Sequence, residues 1–276
     1  MKNIKKRQHY VWKYYLKAWT KNDQLFCKHN NQVFLSALTN VGQKGFFYES
    51  ITLSAREHDY IRKFFKNAHP TAEKNLTGLL NLYLITSKAD EYTRKCGIED
   101  FHAIVETKAI EILKMLYNLD LSFFEKDDYR NNFSFFVGCQ YTRTKKMRDN
   151  LIKLPLNISS DISKEKIAKV YSLFFADIIG SWISSRSKIK LIVNDSDKCS
   201  FITTDQPIIN VKANVGYSVP VQQFELYYPI SPKVALYLSE SNEGVERVSE
   251  NIVQEFNRLI FKHSSDQVYA LNKSDF

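Results

Sequence analysis

The chain has 276 residues, of which 44% are hydrophobic and 14% aromatic, with only 8 Gly and 6 Pro. It is therefore apolar enough to bury a core and is neither low-complexity nor linker-rich. Its formal charge of +9 points to an anionic partner such as nucleic acid, nucleotide or a lipid surface. The four cysteines form no CxxC pair, which excludes zinc-finger spacing and argues for reduced, cytosolic thiols.

The basic N-terminus is followed by no apolar run of the secretory kind. The longest apolar run, 170–184, is short for a bilayer and carries Asp177 and Gly180, so it reads as a core helix and no membrane partner is expected. Residues 10–19 are rich in aromatics and predict a short helix burying Trp12, Tyr15, Leu16 and Trp19. Three apolar stretches follow (25–27, 33–35 and 46–48), predicting a small antiparallel sheet with Asn30-Asn31 as a hairpin tip.

From Ser54 the period becomes helical. Ser54-x-x-Glu57 is a capping-box signature opening a helix through Phe65. Further helices are predicted over 71–84, 98–117, 131–147 and 163–184. Strand signatures return at 189–193, 201–204, 225–228 and 234–238, a helix is predicted over 244–262, and 268–271 reads as a last strand. Strands, then helices, then strands predict an α+β fold. Its parts are small antiparallel N-terminal strands, a central helical bundle, and C-terminal strands with a closing helix. No repeat or shift in composition marks a boundary, so one domain over 1–276 is expected.

Several polar side chains fall on apolar stripes. Gln140 and Arg143 share the stripe of Phe133 and Phe136, Glu106 lies at the margin of its helix's buried face, and Asp177 follows Phe174 by three. Buried charges must find partners, so Arg143 is expected to meet Glu106, Asp177 or Asp205. Asp205 itself sits where the apolar segment 201–204 runs into Pro207, at a predicted strand tip. These groups are read either as a structural salt-bridge network or as a polar cleft, and their number favours the cleft. His9, beside Lys5-Lys6-Arg7 and ahead of the aromatic run, has an imidazole suited to acid–base work near neutral pH. His102 and Glu106 are one helical turn apart, but His102 is read as displaced from the apolar stripe and is set aside. The sequence contains no P-loop, no Gly-rich dinucleotide turn, no Gly-x-Ser-x-Gly elbow and no restriction-type Glu-x-Lys strand.

Gln8-His9-Tyr10-Val11-Trp12 through Trp19, Glu106-Thr107-Lys108-Ala109, Gln140-Tyr141-Thr142-Arg143-Thr144, Thr203-Thr204-Asp205-Gln206-Pro207 and Tyr228-Pro229-Ile230-Ser231-Pro232 together resemble the motifs of the bacterial domain of unknown function 4238 family. Trp12 stands where that family has proline and Trp19 where it has Phe. The resemblance implies that His9, Glu106, Gln140, Arg143 and Asp205 are the family's characteristic polar residues. It implies no reaction, and its members' association with mobile or defence loci implies an effector or toxin setting.

The leading expectation is a cytosolic phosphodiesterase, a nuclease acting on nucleic acid. The basic N-terminus and the Lys145-Lys146-Arg148 cluster would engage phosphates. His9 would act as general base or acid, and Arg143 would neutralise phosphoryl charge. Asp205 and Glu106 would orient these two or hold one divalent cation; the sequence specifies no metal. Gln140 would position substrate or water, with Gln8, Tyr141, Lys145 and Thr204 completing the contacts. The alternative is a non-catalytic module that senses nucleic acid, a nucleotide or a phage protein and signals to a regulatory partner.

Overall fold

The computed structural model describes residues 3–154, 158–213 and 223–276; Met1 and Lys2 of the basic N-terminal segment lie outside them. The chain is α+β. In chain order the elements are β1 (Arg7–His9), α1 (Lys13–Leu16), β2 (Gln24–His29), β3 (Gln32–Ala37), β4 (Gln43–Gly45), α2 (Ala55–Phe65), α3 (Pro70–Lys88), α4 (Glu91–Tyr117), α5 (Asp127–Thr142), α6 (Lys145–Lys153), α7 (Lys164–Arg186), β5 (Lys188–Asn194), β6 (Thr203–Thr204), β7 (Ile209–Asn210), β8 (Leu226–Pro229), β9 (Val234–Ser239), β10 (Gly244–Val248), α8 (Glu250–Lys262) and β11 (Val268–Ala270).

The helical bundle is built around α5 and α7, and glycine sets how closely they approach. A methyl group at Gly138 would lie 2.2 Å from the carbonyl oxygen of Ala176, and one at Gly180 3.0 Å from Cα of Phe135. Thr142 Oγ1 reinforces the crossing by donating to Ser172 O at 2.8 Å. α7 is long and apolar enough to cross a membrane by composition, and here it is mostly buried, packed on α5.

Three sheets flank the bundle. One has the order β10-β5-β9-β8-β7, with β10 and β5 parallel and the other pairs antiparallel. A second, wholly antiparallel, has the order β3-β2-β11-β6, and β1 with β4 makes a two-stranded ribbon. The N-terminal aromatic segment ties these layers together. Tyr15 Oη donates to Pro229 O at 2.7 Å in one sheet and meets Thr203 Oγ1 at 2.6 Å in another, while Trp19 Nε1 donates to Phe201 O at 2.7 Å. Both rings are fully buried, which contributes about 1.5–3 kcal/mol each. Buried polar tips with good partners fix the orientation of such rings.

Four elements differ from the sequence expectation. Phe46, Phe47 and Tyr48 form a turn rather than a strand, with Phe46 at φ 47°; the strand is Gln43–Gly45, paired with β1. The helix expected over 131–147 breaks at Arg143, because Thr144 caps a new helix by accepting from Met147 N at 3.2 Å. The helix expected from Gly244 begins only at Glu250, since 244–248 extends the sheet beside β5. α4 starts at Glu91, ahead of the expected Ile98, because Asp90 caps it by accepting from Thr93 N at 3.0 Å.

Candidate functional site

The break between α5 and α6 places the most unusual side chain of the molecule. Arg143 occupies the C-cap of α5, its guanidinium only 2% exposed. Nη2 donates to Glu106 Oε1 at 2.5 Å and to Gln140 Oε1 at 3.1 Å. The break is held from the opposite side by Gln206. Its Oε1 accepts from the Thr144 hydroxyl, and its Nε2 donates to Tyr141 O at 3.2 Å and Ile208 O at 2.7 Å. The two short motifs containing Arg143 and Asp205 therefore meet through Thr144 and Gln206.

α4 supplies the acidic side. Glu99, His102 and Glu106 lie at spacings of three and four and share one helix face. Burial pushes the Glu106 carboxyl up from the usual carboxylate range, while Arg143 and Gln140 hold it back towards the charged form. Burial alone would pull Arg143 down, but Glu106 more than offsets it, so the guanidinium stays firmly protonated. Burial also raises Glu99, partly opposed by Lys5.

β1 carries His9 within electrostatic range of Arg143. Burial first, then Lys13, Arg143 and Arg7, lower its pKa to about 4, against a hydrogen bond to the Leu38 main chain. The ring is therefore neutral at pH 7. Its Nε2 is buried and has no hydrogen-bond partner, so with the other nitrogen engaged at Leu38 this atom carries the free lone pair. Glu99 Oε2, His102 Nδ1, Gln140 Nε2, Arg143 Nε, Arg148 Nε and Tyr228 Oη are likewise buried and unpartnered. Tyr48, Glu99, His102 and Tyr228 all lie within electrostatic range of Arg143. An unmatched buried polar group costs about 1–3 kcal/mol, so several around one ion pair call for water or a ligand. Glu106 keeps 14% of its side-chain surface and His9 is half-buried, so the rim of the cluster meets solvent.

Hydrogen bonds join Glu106, Gln140 and Arg143, His9 lies within electrostatic range of Arg143, and the Asp205 carboxylate is engaged elsewhere. Asp205 is almost fully buried and latches the loop after α8: Oδ1 accepts from Ser265 N at 2.9 Å, and Oδ2 from Asp266 N at 2.7 Å and Gln267 N at 3.1 Å. Burial raises its pKa and these three amides work against that rise. Its oxygens are committed to main chain, so it neither orients His9 nor joins Glu106 around a cation. Among the described residues no three His, Cys, Asp or Glu side chains form a metal-holding group. Asp177 also stays apart from Arg143, taking Asn75 Nδ2 at 3.4 Å.

The expected substrate contacts are mostly spent internally. Gln8 is fully buried, donating to Lys95 O at 2.6 Å and accepting from Tyr48 N at 2.7 Å. Thr204 Oγ1 closes a local turn, donating to Gln206 O at 2.8 Å and accepting from Gln206 N at 3.1 Å. Lys145 bridges Asp149 at 2.9 Å and Asp266 at 3.3 Å, and Lys146 donates to His263 O at 2.6 Å. Arg148 lies 3.6 Å from the Phe47 ring centroid and donates to Phe47 O at 2.6 Å; burial lowers its pKa to about 10. Tyr141 is half-buried, its hydroxyl pushed up to about 12 by burial.

His102, set aside from the sequence, is 3% exposed and packs tilted against Tyr48 with ring centroids 4.9 Å apart, held neutral by burial and by Arg143 and Arg148. Its i+4 relation to Glu106 and its i+3 relation to Glu99 were the available signals. Gln206 was missed because its role depends on a contact with Thr144, 62 residues earlier in the chain. Two surface cavities, one lined by Ile4, Asp90, Tyr92 and Asp100 and another by Lys28, Arg258, Phe261 and Phe276, include none of Glu106, Gln140, Arg143 or His9 in their linings.

Comparison with curated proteins and with solved structures returns no match. The model of a family described as protein of unknown function (DUF4238) matches residues 7–274, so the chain belongs to that family.

Proposed function

We propose that the protein is a phosphodiesterase acting on nucleic acid, an effector of the defence or toxin kind, with the His9–Glu106–Gln140–Arg143 cluster as its site. What supports this reading is that His9 Nε2, Gln140 Nε2 and Arg143 Nε are each buried without a hydrogen-bond partner, with Arg143 paired to Glu106 and within electrostatic range of His9. A neutral imidazole there can take the proton of an attacking water or hydroxyl as its oxygen bonds to phosphorus. The resulting imidazolium can return that proton to the leaving oxygen as the old ester bond breaks. Arg143 and Gln140 would donate to the non-bridging oxygens, where charge accumulates, and Glu106 holds Arg143 in place. With a pKa of about 4, His9 begins the cycle as a base rather than as an acid.

The alternative, a sensing module without turnover, draws support from the internal use of Asp205, Lys145 and Lys146. The test is a panel of single- and double-stranded RNA and DNA and bis(p-nitrophenyl) phosphate, with and without Mg²⁺. Cleavage should fall at least about a hundredfold in folded His9→Asn protein. Equal cleavage by that variant refutes the catalytic assignment. Salt-sensitive binding without any cleavage, weakened by the same substitution, selects the sensing module.

A further inference from the structure

The cluster expected from sequence to meet phosphates, on α6, has its charge engaged by Asp149, Asp266, the His263 carbonyl and the Phe47 ring. Lys5 of the N-terminal segment faces Asp100 at 3.9 Å, but three other cations there are placed differently. Arg7, Lys13 and Lys17 are exposed, and among the described residues no carboxylate lies within ion-pair distance of them; Arg7 meets only the Asn40 amide, at 3.3 Å. Alternation along β1 turns Gln8 into the core and sets Arg7 and His9 on the opposite face. Lys13 and Lys17 follow four apart, on one side of the first turns after the strand. Trp12 and Tyr14 flank Lys13, half-buried, with ring centroids 5.0 Å apart and Trp12 edge-on to Phe136.

We propose that Arg7, Lys13 and Lys17, with the half-exposed faces of Trp12 and Tyr14, form a track for single-stranded nucleic acid that carries a phosphate to His9. This inference rests on the phosphodiesterase reading above and names its substrate class. Exposed cations interleaved with aromatic faces are the means by which proteins hold unpaired strands, through phosphate contacts and base stacking. A flexible strand can turn one phosphate towards the half-buried His9. A duplex, with its phosphates fixed on a stiff cylinder, cannot follow that path. The field of the track reaches the site directly, since Lys13 and Arg7 both act on the His9 ring.

The experiment measures binding of a labelled 12-nucleotide single strand and of its duplex by fluorescence anisotropy between 50 and 300 mM KCl. It compares the wild type, Arg7→Gln/Lys13→Gln/Lys17→Gln and Lys145→Gln/Lys146→Gln, each verified as folded by circular dichroism. The triple variant should bind the single strand about tenfold or more weakly at 100 mM salt, with its salt slope reduced by about two. The α6 variant should bind as the wild type does, and the duplex more weakly than the strand. Turnover of bis(p-nitrophenyl) phosphate, which needs no track, reads the site separately. Turnover by the wild type, with undiminished strand binding by the triple variant, overturns the track and leaves the site standing. Loss of binding in the triple variant without diester turnover by the wild type supports the track and overturns the reaction. Greater loss in the α6 variant, or equal affinity for duplex, overturns the track.

Discussion

Removing Glu106 tests the buried ion pair at the centre of the cluster. Arg143 is 2% exposed and has two side-chain acceptors, Glu106 and Gln140, with only Glu106 charged. Breaking a buried pair from one side costs about 3–5 kcal/mol, because the remaining charge is stranded. In Glu106→Gln the amide oxygen can still accept from the guanidinium and recovers about 1 kcal/mol, so a loss of about 2–4 kcal/mol is expected. Arg143→Met should cost less, about 1–3 kcal/mol. The carboxyl left behind retains 14% exposure, and burial already favours its protonation. The double variant strands neither charge, so its loss should fall short of the sum by about 1–3 kcal/mol. Urea unfolding at pH 7.5, followed by circular dichroism and tryptophan fluorescence, measures all three. A neutral Glu106→Gln, or a coupling below about 0.3 kcal/mol, would refute the stranded-charge reasoning.

Other consequences follow from the same contacts. Asp205→Asn replaces two acceptor oxygens by one and turns an amide N–H₂ towards main-chain donors, so it should cost about 2–4 kcal/mol and release the 264–267 loop to hydrogen exchange; wild-type stability and protection would remove the latch from the account. Gly138→Ala should cost about 3 kcal/mol or more, seen as a lowered urea midpoint, because its methyl group would meet the Ala176 carbonyl at 2.2 Å with backbone on both sides. His9 is harder to protonate folded, at about 4, than unfolded, at about 6.5. Its contribution is therefore complete above pH 6.5 and lost as pH falls towards 4, a swing of up to about 3 kcal/mol. Unfolding midpoints of His9→Asn should fall less steeply over that window than those of the wild type, and parallel curves would contradict the shift.

The sequence exposed local rules well. The Ser54–Glu57 capping box is present on both sides, and Asn30 and Asn31 take the positive φ values, 49° and 62°, of a tight hairpin. Where a distant partner decides, local pattern failed. The aromatic run 46–48 has strand composition but forms a turn, with Arg148 and Lys169 donating to the Phe47 carbonyl and Lys169 also to that of Glu49. The polar stretch 244–248 shows little apolar alternation, yet it pairs beside β5. The site divides in the same way. Arg143 with Glu106 was legible as charge on a buried stripe. Asp205 looked equally reactive, because a carboxylate at a strand tip reads alike whether it faces substrate or three amides of a loop 60 residues later in the chain.

The central claim is that His9 keeps an open lone pair in a cationic field where a phosphate ester binds. Nitrogen-15 NMR titration of the imidazole, in the free protein and with a short non-cleavable phosphorothioate oligonucleotide, addresses it directly. A pKa near 4 that moves upward when the anion binds is the predicted result. Titration near 6.5, unmoved by the oligonucleotide, would contradict it.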